Sequence, residues 1–162
     1  MGQGLLIVWH SRTGAAEAMA RAAAEGAALE GSCQLVAADG ATPQHVLAAA
    51  GYIFCAPENL GALTGEMKAF FDRCYYPVLG LIEGRPYGTL IAAGSDGTGA
   101  ERQIDRIVTG WRLRRVVEPM IAITHSQTPD EISARKTIPS DILENCSAMG
   151  KALAAGLALG VF

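Results

Sequence analysis

The chain has 162 residues, half of them apolar, which is enough for one well-buried core and too few for two independent domains. Its formal net charge is -3 and no run of lysine and arginine forms a basic stripe, so we expect no nucleic-acid partner. No apolar stretch approaches the roughly 20 residues that span a bilayer, and the N-terminus lacks the marks of a secretory signal. We expect a single domain over residues 1–162 in the cytoplasm, without membrane insertion.

The four cysteines, Cys33, Cys55, Cys74 and Cys146, are scattered and form no Cys-x-x-Cys motif. This spacing favours neither a disulfide framework nor a zinc site, so we expect reduced thiols and no metal. Cys55 lies in an apolar run and is interpreted as an inert core residue.

Apolar runs and helical stretches alternate along the chain. Residues 5–9 form an apolar run of strand length, followed by a polar turn and an alanine-rich helix over about 15–29. Thr42 and Ser140 are predicted N-terminal caps of later helices. Further strands are predicted over 34–37, 52–56, 89–93 and 116–123, further helices over 43–50, 64–75, 100–113 and 139–159, and irregular segments over 76–86 and 126–138.

Strands with so little polar alternation are buried on both faces, as in a parallel sheet that helices cover on both sides. The sequence therefore predicts an α/β fold, a three-layer doubly wound arrangement around a five-stranded parallel sheet. In such a sheet, ligands bind beyond the carboxyl ends of the strands, where the strand order reverses. The loops after the first, third and fourth strands are therefore the candidate site.

The loop after the first strand, Ser11-Arg12-Thr13-Gly14-Ala15-Ala16, has two hydroxyls, a glycine and a helix directly behind it. Free N–H groups and a macrodipole worth roughly +0.5 charge at a helix start stabilise an anion without lysine. The lysine-containing triphosphate motif is missing, and the glycine cluster over 94–99 is misplaced for a dinucleotide fingerprint. The loop predicts a monophosphate site; an ordinary turn with capping hydroxyls is the alternative.

The loop after the third strand, Pro57-Glu58-Asn59-Leu60-Gly61, is long and rich in residues that fix the backbone. A planar ligand lying on Leu60 would be within reach of loop N–H and C=O groups that bond its polar rim. The alternative is a plain surface loop, and on either interpretation Thr64 is predicted to cap the next helix.

Three motifs together resemble those of flavodoxin-like FMN proteins. They are Ser-x-Thr-Gly after the first strand, Ala-Pro-Glu-Asn-Leu-Gly-x-Leu-Thr-Gly-x-Met-Lys-Ala-Phe-Phe-Asp-Arg after the third, and Gly-Ser-Asp-Gly-Thr-Gly after the fourth. The chain is most similar to the branch that contains WrbA-type quinone reductases and NAD(P)H-dependent FMN reductases, and the resemblance covers nearly its whole length.

The resemblance implies a flavodoxin-like fold with FMN as cofactor. It assigns the FMN phosphate to Ser11, Arg12, Thr13, Gly14, Ala15 and Ala16. It assigns the border of the isoalloxazine to Pro57, Glu58, Asn59, Leu60, Gly61, Gly94, Ser95, Asp96, Gly97 and Gly99.

Three departures from the family's pattern bear on function. Ala16 stands where the family often has a hydroxyl residue, the two ring-bordering loops carry no aromatic residue, and the chain is not strongly acidic. An acidic rim steers redox partner proteins, and an enclosed ring tunes its one-electron potential. Their absence points away from a dedicated electron shuttle.

The resemblance implies an oxidoreductase that passes electrons from NAD(P)H through FMN to a quinone or similar small acceptor, without identifying a catalytic side chain. Two alternatives stay open: a flavodoxin-type carrier that docks on a protein partner, and a flavin-binding protein without turnover. His10 is expected to be packed and hydrogen-bonded at the end of the first strand, with a cationic imidazole beside the phosphate as the alternative. His125 is a weaker candidate for contact with the flavin or a bound substrate. Trp111 and the Tyr75–Tyr76 pair are core or oligomer contacts, which leaves a homo-oligomer open.

Overall fold

The computed structural model describes residues 3–162, over which seven strands and six helices form. The strands are β1 (Leu5–Trp9), β2 (Cys33–Ala37), β3 (Gly51–Asn59), β4 (Ala62–Leu63), β5 (Pro86–Ala93), β6 (Arg114–Arg115) and β7 (Met120–Ile123). The helices are α1 (Ala15–Ala28), α2 (Pro43–Ala48), α3 (Gly65–Val78), α4 (Thr98–Gly110), α5 (Pro129–Ser133) and α6 (Ser140–Leu159).

The sheet is parallel in the order β2-β1-β3-β5, with β6 and β7 both paired to the far edge of β5. Strand order reverses between β1 and β3, as in the flavodoxin-like version of the doubly wound fold. The predicted α/β fold and parallel sheet are confirmed. The short strand β4 lies outside this order and pairs antiparallel with the end of β3.

The fifth strand position is interrupted, so the prediction of one strand over 116–123 is wrong in part. Arg114 and Arg115 pair with the start of β5, and Met120–Ile123 pair with its end. Pro119 lies in the break, and a proline has no N–H to donate to a sheet ladder. The segment predicted as irregular over 126–138 contains the short helix α5.

Alternating side chains of β1 divide the core between the two faces of the sheet. Leu6 and Val8 belong to a cluster with Phe54, Phe70 and Trp111, under α2, α3 and α4. Leu5 and Ile7 belong to a cluster dominated by alanines and small side chains of α1 and α6. The small side chains let α1 and α6 approach closely: a Cβ on Gly150 would lie 1.9 Å from the Ala23 carbonyl oxygen.

The two predicted helix caps have different outcomes. Thr42 caps α2, because its hydroxyl accepts the backbone N–H of His45 at 3.4 Å while the His45 ring accepts the Thr42 N–H at 3.1 Å. Ser140 is not a cap: it is the first residue of α6, and Pro139 stands at the cap position without a side-chain bond. The proline ring has no polar atom that could accept a backbone N–H of the first turn, so the start of α6 has no side-chain cap.

Candidate functional site

A cleft of about 450 Å³ opens at the carboxyl ends of the parallel strands, beside the point where their order reverses. Four segments meet there: the loops that follow β1, β3 and β5, and the segment that follows β7. The lining residues are Arg12, Thr13, Ala15, Pro57, Glu58, Asn59, Leu60, Gly61, Ala92, Ala93, Gly94, Ser95, Thr124, Ser126, Ile132, Ser133 and Lys136.

The loop after β1 presents the start of α1 to this cleft. Gly14 stands at the N-cap position with φ 96, a left-handed conformation that glycine adopts without steric cost. The Ser11 hydroxyl accepts the Gly14 N–H at 3.0 Å, so this side chain shapes the loop. Within residues 3–162, the N–H groups of Thr13, Ala15 and Ala16 donate to no protein acceptor. Together with the helix dipole they form an anion-binding group.

Of the six residues predicted to hold the phosphate, three line the cleft and three do not. Arg12, Thr13 and Ala15 line the cleft, whereas the other three residues of the loop do not. Those three are the half-buried Ser11 and the buried Gly14 and Ala16.

The loop after β3 is a hairpin rather than a free loop. Asn59 pairs with Ala62 and Glu58 with Leu63, which leaves Leu60 and Gly61 at the tip. Both tip residues have positive φ, 53 and 72, as in the primed turns that join two strands. The Leu60 side chain is 96% exposed and lines the cleft, as do all residues from Pro57 to Gly61.

The Glu58 carboxylate serves α4. Its oxygens accept the backbone N–H groups of Gly97 at 3.0 Å and Ala100 at 3.2 Å, so a negative charge caps the positive end of the helix. Sequence analysis assigned Glu58 to the flavin border without anticipating this second partner.

The loop after β5 contributes less of its length than the sequence predicts. Gly94 and Ser95 line the cleft, and Asp96, Gly97 and Gly99 do not. Asp96 accepts the N–H and hydroxyl of Thr98. Gly99 packs α4 against the hairpin, since a Cβ there would lie 2.0 Å from the Gly61 carbonyl oxygen.

Five lining residues from the segment after β7 were missed by sequence analysis: Thr124, Ser126, Ile132, Ser133 and Lys136. A signal for them exists. Thr128 and Glu131 form a capping box around Pro129, a pattern that predicts a helix start. Hydrogen bonds from the backbone of Gln127 and Thr128 also lower the pKa of the Glu131 carboxyl.

Lys136 attaches this segment to the phosphate loop. Its backbone N–H donates to the Thr13 carbonyl at 2.8 Å. Its ammonium donates to the carbonyls of Glu131, Ile132 and Ala134 at the end of α5, at 2.7, 3.0 and 2.5 Å. A fixed positive charge therefore lines the cleft. The sequence predicts an anion site without a lysine, so this charge was not expected.

The remaining candidate side chains are structural. His10 is hydrogen-bonded, as predicted: its Nδ1 lies 3.0 Å from the Thr64 hydroxyl. Thr64 therefore does not cap α3 with its side chain, contrary to prediction. His125 is exposed and does not line the cleft. The Cys55 thiol is buried and donates to the Ala16 carbonyl, and burial raises its pKa well above the ordinary value.

The aromatic residues left open by the sequence divide between core and surface. Trp111 is buried in the core and Tyr75 stacks on it, whereas Tyr76 is exposed. Among residues 3–162, no helix has both the length and the apolar character needed to cross a bilayer.

Comparison with known proteins identifies the family. The family model described as NADPH-dependent FMN reductase matches residues 31–128, which is more than half of the chain. A flavodoxin of Aquifex aeolicus (strain VF5) is 36% identical over 107 residues, which are 65% of this chain and 58% of that protein. The aligned part of this chain thus spans less than two thirds of that relative.

Solved structures share the fold at low sequence identity. A flavodoxin from the domain Archaea superposes with a TM-score of 0.76 at 14% identity, over 96% of this chain and 98% of that one. A WrbA-like protein from Agrobacterium tumefaciens superposes with a TM-score of 0.70 at 18% identity, over 98% and 99% of the two chains. The chain belongs to the NADPH-dependent FMN reductase family and is a flavodoxin-like member of this group of FMN-binding proteins.

Proposed function

We propose that this protein is an oxidoreductase that uses FMN to pass electrons from NAD(P)H to a quinone or similar small acceptor. The observation that carries the proposal is the character of the cleft. Among residues 3–162, its lining contains no aromatic side chain, one acidic side chain (Glu58) and two basic ones (Arg12 and Lys136). A cleft of this kind favours small, anionic or neutral reactants over docking by a basic partner protein.

The described residues fit FMN. The unpaired N–H groups of Thr13, Ala15 and Ala16 suit its phosphate, which carries a charge of about -2 at neutral pH. Ala92, Ala93 and Gly94 give the cleft a wall of small residues beside which a planar ring can lie. The exposed Leu60 offers an apolar surface at the opposite loop.

Each predicted site residue has a proposed part in this arrangement. Arg12, Thr13, Ala15 and the backbone N–H of Ala16 serve the phosphate, with Ser11 and Gly14 holding the loop in shape. Pro57, Asn59, Leu60, Gly61, Gly94 and Ser95 border the ring through backbone groups and apolar contact. Glu58, Asp96, Gly97 and Gly99 fix the start of α4 against the hairpin.

FMN, when bound, supplies the two-electron chemistry, so no side chain has to act as the redox group. The chain's own residues orient the reactants and stabilise charge. Loop N–H groups near the ring stabilise negative charge that develops there, because they are fixed before the reaction begins. The Leu60 side chain excludes water from the face that it covers.

A flavodoxin-type electron carrier is the second candidate. It is favoured by the name of the Aquifex aeolicus relative and of the archaeal structure. This function requires a surface that a redox partner recognises, whereas the cleft rim here carries both signs of charge.

One experiment separates the two functions. The purified protein is loaded with FMN, and oxidation of NADH and of NADPH is followed with and without benzoquinone, against a blank of free FMN. Oxidation well above the blank that depends on benzoquinone supports the reductase. No oxidation of either nucleotide, together with reduction of the bound flavin in two separate one-electron steps, supports the carrier.

A further inference from the structure

The Arg135 side chain lies directly over the phosphate loop. Its Cζ and Nη1 atoms are both 3.2 Å from the position that a Cβ on Gly14 would occupy. Gly14 heads α1, whose first-turn N–H groups have no protein acceptor within the described residues. The guanidinium therefore lies beside the loop whose free N–H groups bind anions, next to the cleft rather than among the residues that line it.

The position of Arg135 is fixed through its neighbour in the chain. The backbone N–H of Lys136 donates to the Thr13 carbonyl, and the Lys136 ammonium is bonded to three carbonyls of the α5 end. An ammonium has three N–H donors, so Lys136 has none left for a ligand. Arg135, by contrast, is exposed and makes no hydrogen bond or ion pair within residues 3–162.

Two carboxylates of the surrounding elements are already engaged. Glu17, in the first turn of α1, pairs with Arg21 at 2.9 Å. Glu131, on α5, accepts N–H groups of Gln127 and Thr128. Neither of these carboxylates pairs with the Arg135 guanidinium, which leaves its N–H donors available to an external anion.

We propose that Arg135 binds the FMN phosphate and replaces the hydroxyl that Ala16 does not provide. This inference rests on the proposed FMN site and adds a residue that lies far from the phosphate loop in sequence. A guanidinium presents a planar pair of N–H donors that matches two phosphate oxygens. A guanidinium brings a full positive charge and more than one donor to the phosphate, whereas a hydroxyl brings one donor and no charge.

The test compares FMN with riboflavin, which lacks the phosphate. Dissociation constants of both flavins are measured by fluorescence titration for the wild type, Arg135→Gln, Arg135→Lys and the control Arg106→Gln. Arg106 is an exposed arginine of α4 without a hydrogen bond or ion pair within residues 3–162 and is not part of the cleft. Circular dichroism establishes that each variant is folded.

We expect Arg135→Gln to weaken FMN binding about tenfold or more, with riboflavin binding unchanged. Arg135→Lys should retain part of the FMN affinity, and the loss should shrink at high salt. Equal weakening of both flavins, or an FMN loss no larger than in Arg106→Gln, would overturn the role of Arg135. The role is also overturned if Arg135→Gln raises the KM for NADPH without changing FMN affinity. Wild-type protein that binds neither flavin would overturn the FMN site itself.

Discussion

The carboxylate of Glu58, on the hairpin after β3, accepts the backbone N–H of Gly97 at the head of α4 across 3.0 Å. The second carboxylate oxygen accepts the N–H of Ala100. One side chain thus joins two of the loops that form the cleft. The helix cap and the shape of the cleft depend on the same residue.

Removal of this cap should destabilise the fold. We expect Glu58→Ala to lower the free energy of unfolding by about 1 to 2 kcal/mol, the usual cost of a lost helix cap. Urea titration of the FMN-free protein measures the change. Glu25→Ala is the control, because Glu25 is exposed on α1 and has no hydrogen bond or ion pair within the described residues. Equal effects of the two substitutions would contradict the capping role.

Two glycines should respond to alanine substitution with opposite changes in stability: Gly150, at the contact between α1 and α6, and Gly65, in open space at the start of α3. A Cβ on Gly150 would meet the Ala23 carbonyl oxygen at 1.9 Å, and backbone there cannot move without separating the helices. We expect Gly150→Ala to cost about 3 kcal/mol or more. At the start of α3, the new Cβ of Gly65→Ala would have no atom of the described residues outside its own helix turn within 4 Å, so this substitution should raise the free energy of unfolding by about 0.4 to 1 kcal/mol. Thermal unfolding of both variants checks the opposite signs.

The sequence predicts those parts of the site that local patterns encode. An apolar run followed by Ser-x-Thr-Gly predicts β1 and the start of α1, and the loop at 57–61 is recognised from its motif. The N–H of Lys136 bonding to Thr13 joins residues at opposite ends of the chain, and no local pattern encodes such a contact. For the same reason, the two hydrogen bonds that the Glu58 carboxylate accepts from the α4 backbone could not be predicted from the sequence.

Thr13 should contribute to FMN affinity through its hydroxyl. Thr13 lines the cleft, and its hydroxyl makes no hydrogen bond within residues 3–162. We expect Thr13→Ala to weaken FMN binding by about 1 to 2 kcal/mol through loss of a charge-assisted hydrogen bond. The control Thr109→Ala removes a hydroxyl that bonds within α4. Unchanged FMN affinity in Thr13→Ala would count against the phosphate assignment.

Alkaline pH should destabilise the protein through two thiols, those of the half-buried Cys33 and the buried Cys146. Burial raises the pKa of Cys33 and of Cys146 from 9.0 to about 11. Below pH 9 both thiols are protonated in the folded and unfolded states. Between pH 9 and 11 they ionise mainly on unfolding, so the free energy of unfolding falls as pH rises.

Urea unfolding at pH 8, 9 and 10 measures this slope. The variant with Cys33→Ala and Cys146→Ala should lose part of the decline between pH 9 and 10. A decline as steep as in the wild type would show that other groups account for the effect, such as Cys55 and Cys74, whose pKa values burial also raises.

Leu60 should lower the stability of the FMN-free protein and raise its affinity for FMN. It adopts φ 53 at the tip of the hairpin, a left-handed conformation that costs a leucine about 1 to 2 kcal/mol and suits asparagine better. Its side chain is 96% exposed, so it contributes almost nothing to the core. Leu60→Asn should therefore raise the free energy of unfolding of the FMN-free protein by about 0.5 to 1 kcal/mol.

The same substitution should weaken FMN binding by about 1 kcal/mol, because partial burial of a leucine side chain against a ligand contributes about that much to the binding free energy. Leu159→Asn is the matched control: Leu159 is also highly exposed but ends α6, away from the cleft. It should leave FMN affinity unchanged. Flavin titration and urea unfolding of both variants measure the two effects separately. If Leu60→Asn stabilises the protein and binds FMN as tightly as the wild type, the strained leucine has no role toward the flavin.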